Sequence, residues 1–342
     1  MTATETSPVV PLDAPTAPKP RQSGRGKVVW GRFSARKDAL IGAIVVVLLF
    51  LFAFVGPFLI PYKYTDVDFL SMTQAPSGTH WLGTDQIGRD VLSLTARGMQ
   101  KSLLIGLLVA LFSTVLASVV GACAGYFGGW VDRVSMFVVD LMLVFPAFLI
   151  ISVMSPVFKD SGWLAFVALL AVFGWMITAR VVRSMTLSLK DQEFVRAARF
   201  MGVHPFRIIL RHILPNLASF LIIDATIAVG GAVIAETGLS YFGFGVQSPD
   251  VSLGTLITAG QDSALTSPWL FYPAALTLVI FVLAVNLMGD GLRDALDPTS
   301  DRVSGKQRRK VTREAKALRE EAAKATALTS PTSAHETPGS RA

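Results

Sequence analysis

The chain has 342 residues, of which 52% are hydrophobic and 16% charged, with a formal net charge of +7. A soluble domain carries about 25% charged residues, and a globule of this length could not hide so much apolar surface, so a soluble enzyme or binding module is excluded. The composition predicts an all-α integral membrane protein.

The first 37 residues are polar, with five prolines by Pro20 and seven Lys or Arg. Such a stretch predicts a disordered leader (1–37) rather than a cleavable signal, because the apolar run behind it is too long. That run, 39–60, carries no charge and predicts a first spanning helix within 38–60, since about 20 residues cross a bilayer. Residues 61–100 form a connecting segment. In it Gly83, Gly88 and the Asp85/Arg89/Asp90 cluster predict a tight, internally ion-paired structure.

A second apolar run, 102–127, places Gly106, Ala110, Ser113, Ala117, Gly121 and Gly125 three or four residues apart, a face that lets helix backbones approach closely in lipid. The single cysteine, Cys123, lies in this run. It excludes an intrachain disulfide and reads as a packing residue, and no Cys/His spacing predicts a metal site. The third run, 134–158, carries Asp140, and the fourth, 161–179, is followed by Arg180 and Arg183. A carboxylate inside a span is normally paired or faces a cavity, so a structural ion pair of Asp140 with Arg180 or Arg183 is expected.

Next comes a basic, amphipathic stretch, EFVRAARFMGVHPFRIILRHILPN, from Glu193 to Asn216. Gly202 and His204–Pro205 predict a break between two short helices, with Gly just past the first and Pro at the start of the second. Pro215 is expected to close the second. Phe194, Val195, Ala198 and Met201 share one face of the first piece, and Glu193, Arg196 and Arg199 lie off it. This bent, positively charged hairpin needs something outside the membrane to pack against.

The fifth run, 213–235, carries Asp224 near its middle with no neighbour in the run to neutralise it. A charge there costs about 2.5–3.5 kcal/mol on insertion scales. Asp224 therefore either lines a translocation cavity and meets a cationic group, or is protonated and bonded to a neighbouring helix. Glu236 is expected to open a second connecting segment, 236–268, ahead of the last apolar run, 263–289. The last span ends in NLMGDGLRDALDP, and residues 299–342 read as a charged, largely disordered tail. Six spanning helices result.

Orientation follows from charge. With the N-terminus cytoplasmic, the inside segments hold 26 of the 31 Lys and Arg, and 236–268 holds none. That bias places both termini and the hairpin in the cytoplasm of a multi-pass plasma (inner) membrane protein, with the tail beside anionic lipid.

Three stretches carry a family resemblance. Ala197-Ala198, then Gly202, then Leu214-Pro215 resemble the EAA loop of bacterial ABC-importer permeases, with Arg196 where the motif's name has Glu and His212 where many members have Ile. HWLGTDQIGRDVLS, from His80, is similar to the segment after the first helix of the C-type subunit of dipeptide and oligopeptide permeases, and the ending GLRDALDP is similar too. The resemblance spans roughly 38–298. It implies a type I ABC-importer permease fold, with a transmembrane domain over 101–298 and a cytoplasmic coupling helix at about 192–215. Glu193, Arg196, Ala197, Ala198, Gly202, His204, Pro205, Leu214 and Pro215 would form the ATPase-coupling loop. It also implies a homologous second permease subunit, two ABC ATPase subunits that bind ATP and Mg, and an extracytoplasmic peptide-binding protein. The chain itself would hold no cofactor or metal. Dipeptides, oligopeptides, nickel chelates and haem are all carried by such families.

No Walker A sequence and no H-E-x-x-H occurs in the chain, and no Ser/His/Asp set is evident on one side of the membrane, so no catalytic residue is predicted and energy must come from a partner. A proton-coupled secondary transporter built around Asp224 or Asp140 is the alternative, although no internal repeat of the kind common in those folds is visible. A DNA-binding helix-turn-helix at 192–216 is disfavoured by the apolar spans on both sides, so nucleic acid is not an expected partner.

Overall fold

The computed structural model describes residues 25–157, 162–247 and 249–296. The expected disorder of most of the leader and of the tail concerns residues outside these ranges. The chain divides into two units, Met1–Arg293 and Asp294–Ala342, and of the second only the final turn of the last helix is described. Among the described residues the fold is all helical.

The disorder expected over 1–37 is contradicted at Arg25–Ser34, which is helical. This helix, α1 (Arg25–Ser34), precedes the first span, with Phe33 buried and the Trp30 ring stacked on it. Helix α2 (Lys37–Phe54) and the short α3 (Gly56–Leu59) form the first span. Helix α4 (Val91–Phe127) runs for 37 residues, well beyond the apolar run that predicted it. The third run is not one straight helix. Helix α5 (Gly129–Val144) and α6 (Ala147–Met154) meet at Phe145–Pro146, where the chain bends by 80°. Pro146 cannot donate to the helical ladder and drives Phe145 into an extended conformation. The fourth run is likewise split, into α7 (Trp163–Gly174) and α8 (Met176–Leu189), bent by 46° beside Gly174.

Helix α9 (Glu193–Phe200), α10 (Pro205–Ile208) and one π-helical turn, Ile209–Ile213, lead into α11 (Leu214–Tyr241). Pro215 therefore opens a long helix and does not end a short one. In the first turn of a helix its missing N–H is harmless, and the wider π turn ahead of it leaves room for the ring. Helix α12 (Leu253–Gly260) and α13 (Tyr272–Leu296) complete the chain. Among the described residues four helices are long and apolar enough to cross a membrane, and six spans result if each of the two bent pairs is one span.

The organising element is α4, which touches α2, α5, α7, α8, α11 and α12. Its small residues explain this. A Cβ on Gly121 would lie 2.5 Å from the Ala179 carbonyl oxygen, and one on Gly125 would lie 2.8 Å from the Arg183 carbonyl oxygen, both on α8. On the α11 side, a Cβ on Gly106 would lie 2.7 Å from Val233. The first turn of α4 is capped by Asp90, whose Oδ1 accepts the Ser93 N–H at 2.8 Å, while Oδ2 lies 3.0 Å from Nδ1 of buried His80. The expected ion-paired cluster thus divides. Asp85 takes Arg89, at 2.8 Å, and Asp90 turns inward as a cap.

Candidate functional site: the hairpin before the fifth span and the charges within the spans

Two kinds of residue stand out against this apolar scaffold: those that hold α9 and α10 on the end of the bundle, and the ionisable groups along the spans. The hairpin is clamped from within. Val195 and Ala198 of α9 join Ala122 of α4, Val182 of α8, and Ile208, Ile209, Ile213 and Leu217 in one buried cluster. Helix α9 ends at Gly202, whose φ of +74° is one that residues with a side chain adopt at a cost. Gly202 N–H donates to Arg199 O at 3.0 Å and Val203 N–H to Ala198 O at 3.1 Å, the paired closing bonds of a Schellman cap. Lys190, just ahead of α9, donates to the carbonyl of Gly125 on α4 at 3.1 Å.

The apolar stripe foreseen on α9 is only half used. Val195 and Ala198 are buried, whereas Phe194 and Met201 remain exposed, joined by Phe200, Phe206 and Leu210. Phe200 is 91% exposed. Glu193, Arg196, Ala197, Arg199, His204 and Arg207 are exposed around them, and Leu214 and Pro215 stand at the head of α11. The outer surface of the hairpin is therefore an apolar knob in a basic ring, mounted on a well-packed base.

Inside the spans, Asp224 of α11 accepts a hydrogen bond from the Thr178 hydroxyl of α8 at 2.9 Å and is half-buried. Asp140 of α5 pairs with Arg180 of α8. Arg183 turns instead to Asp132 of α5, bonding Oδ2 through Nη2 at 2.6 Å as well as Oδ1 through Nε. All three contacts converge on α8.

One group escaped sequence reasoning. Glu236 does not open a connecting segment; it lies within α11 and is completely buried. Ser240 and Ser252 donate to its Oε1, each at 2.6 Å, and Ser102 of α4 donates to Oε2 at 3.3 Å. The same serines cap α12: Ser102 accepts the Leu253 N–H at 3.1 Å and Ser252 accepts the Thr255 N–H at 3.2 Å. Nearby, Lys101 is buried against the Trp163 ring and pairs with Asp250 at 2.9 Å. The only local hint was Ser240, one helical turn after Glu236; the other two hydroxyls come from 134 and 16 residues away.

Comparison with known proteins assigns the scaffold. Residues 117–302 match the model of the binding-protein-dependent transport system inner membrane component, and residues 24–76 match that of the N-terminal TM domain of oligopeptide transport permease C. The chain belongs to the binding-protein-dependent inner membrane permease family. Its relatives within that permease family include the oligopeptide transport system permease protein OppC of Mycobacterium tuberculosis, 53% identical over 279 residues that cover 81% of this chain and 96% of that one. OppC of Haemophilus influenzae is 38% identical over 279 residues, covering 80% and 89%. A putative peptide permease of Brucella suis is 34% identical over 292 residues, covering 85% and 94%. Among solved structures, a chain of the MetNI methionine ABC transporter in inward-facing conformations matches over 60% of this chain and 96% of that one, at 22% identity and a TM-score of 0.48. By its family the chain is a multi-pass membrane transport permease, not an enzyme, and it is all helical among the described residues.

Proposed function

We propose that this permease is one of two membrane subunits of an ATP-driven peptide importer. The hairpin at 192–215 would be its coupling element, docking on separate ATPase subunits. The observation that carries this reading is the exposed knob of Phe194, Phe200, Met201, Phe206 and Leu210 on a base held by Val195, Ala198 and Gly202. A rigidly mounted apolar surface suits the transmission of force, and water is a poor partner for it. The sequence has no nucleotide-binding motif of its own, so ATP and Mg would be bound by the ATPases. A homologous second permease would complete the path, and an extracytoplasmic binding protein would deliver the peptide. Closure and opening of the ATPases, acting through the hairpin, would alternate the access of the path between the two sides. Asp224, at mid-span, would line that path and meet cationic groups of the cargo. The peptide assignment rests on the relatives that carry that name.

The test is Phe200→Asp in the assembled transporter, reconstituted in vesicles. Phe200 touches little of its own chain, so the variant should fold, yet lose ATPase binding and ATP-driven peptide uptake. Uptake that continues without ATP and follows a proton gradient would replace this reading with a secondary transporter.

A further inference from the structure

Basic and aromatic side chains gather where the first span gives way to the segment ahead of α4. A cleft of about 210 Å3 opens there beside Pro57 of α3, lined by Tyr62, Lys63, Tyr64, Ser93, Arg97 and Gln100. Arg97 is held in place but not neutralised. Its Nη1 donates to Gln100 Oε1 at 2.6 Å, and its guanidinium lies over the Tyr64 ring, 5.0 Å from the centroid. Nη2 stands 3.7 Å from Asp250, whose carboxylate sits closer, at 2.9 Å, to buried Lys101. Nε is buried without a hydrogen-bond partner, so the guanidinium is short of acceptors. Lys63 is exposed, and its ammonium forms no ion pair among the described residues.

Charge narrows the choice of ligand. Lys63, Arg97 and Lys101 stand against Asp250 and Asp66, which accepts the Lys63 N–H at 3.0 Å, so the group keeps one positive charge in excess. A single anion with several acceptor oxygens closes that balance.

Two spans place the cleft at the edge of the membrane. The apolar run 39–60 is barely as long as the about 20 residues that a bilayer requires, so its last residues reach the edge of the hydrocarbon. The apolar run of α4 starts at 102, just past Arg97 and Gln100. Tyrosines such as Tyr62 and Tyr64 are favoured at this level. Phe58 and Leu59, next to Pro57, are 87% and 78% exposed, an apolar surface adjoining the basic cleft.

We propose that this cleft holds the headgroup phosphate of an anionic phospholipid of the phosphatidylglycerol type. The phosphodiester carries one negative charge and meets Lys63 and the Arg97 guanidinium, with the Gln100 amide N–H2 as a further donor. The acyl chains lie against Phe58 and Leu59, so the lipid ties the end of the first span to α4. A zwitterionic lipid fits less well, because its ammonium would stand beside Lys63. The site depends neither on the cargo nor on the coupling role of the hairpin.

The full-length protein, purified in detergent with the subunits that accompany it, is titrated with phosphatidylglycerol or phosphatidylethanolamine, and bound lipid is counted by native mass spectrometry. The tightest site should prefer phosphatidylglycerol by about fivefold or more, the scale of one basic residue against an anionic lipid surface. Lys63→Gln should remove about that factor for phosphatidylglycerol and leave phosphatidylethanolamine unaltered, and Lys63→Arg should keep the preference. Because Lys63 is exposed, the melting temperature of Lys63→Gln without added lipid should match that of the unaltered protein. Equal affinity for the two lipids, or undiminished phosphatidylglycerol binding in Lys63→Gln, would overturn the site. Displacement of the lipid by millimolar inorganic phosphate would make the cleft a free-anion site and overturn the lipid assignment.

Discussion

Glu236 and Asp224 show how differently two carboxyl groups can be held on one helix. Glu236 has three hydroxyl donors and no exposure, and two of those hydroxyls, Ser102 and Ser252, in turn cap α12. Glu236→Ala would leave the three hydroxyl hydrogens without their acceptor beside a cavity, at a cost of about 3–5 kcal/mol. Glu236→Gln keeps the volume and one acceptor and should cost about 1–3 kcal/mol. Thermal melting of the detergent-solubilised protein should therefore rank wild type above Gln above Ala. Asp224 has a single donor, Thr178, and remains half-exposed. Asp224→Asn preserves that bond, so assembly should be intact while uptake of peptides with a free amino end falls several-fold. Unchanged uptake kinetics would remove Asp224 from the path.

At the scale of elements, the decisive contacts are backbone approaches made possible by glycine. Gly121 faces the Ala179 carbonyl, so Gly121→Val would force α4 and α8 apart and should destabilise the protein by about 1–3 kcal/mol. Gly202 is different: no atom crowds its Cβ position, but its φ is +74°. Gly202→Ala should cost about 1 kcal/mol locally and shift the aim of α9, so ATPase-coupled uptake should fall further than stability. Comparing melting temperature with the uptake rate separates the two effects. These elements also mark what was readable beforehand. The apolar runs, the small-residue face of α4 and the Gly202 break follow from local spacing. The 80° bend at Phe145–Pro146 was written in a proline that the hydropathy of the run concealed. The length of α11 was misjudged because Glu236 reads as a surface residue until the distant Ser102 and Ser252 supply its donors. Pro215 was misplaced for a related reason, since a π turn leaves no compositional trace.

For the whole molecule, charge and composition set the expectations. With 26 of 31 Lys and Arg in segments on one side, a reporter fused to the C-terminus should behave as cytoplasmic: a fluorescent protein should glow and alkaline phosphatase should stay inactive. The opposite result would invert the arrangement and move the hairpin away from any ATPase. The large exposed apolar area of α2, α5 and α6 is what a membrane-embedded permease must present.

Helix α4 carries one more consequence. At 1.5 Å per residue its 37 residues make a rod about 55 Å long, against a hydrocarbon layer of about 30 Å. Near one end it is gripped by the cluster that also holds α9, and at the other it bears the His80–Asp90 cap and the folded segment ahead of it. A rod so mounted is a lever arm. Pivoting it by about 5° about one end would sweep the other through roughly 5 Å, about one helical turn.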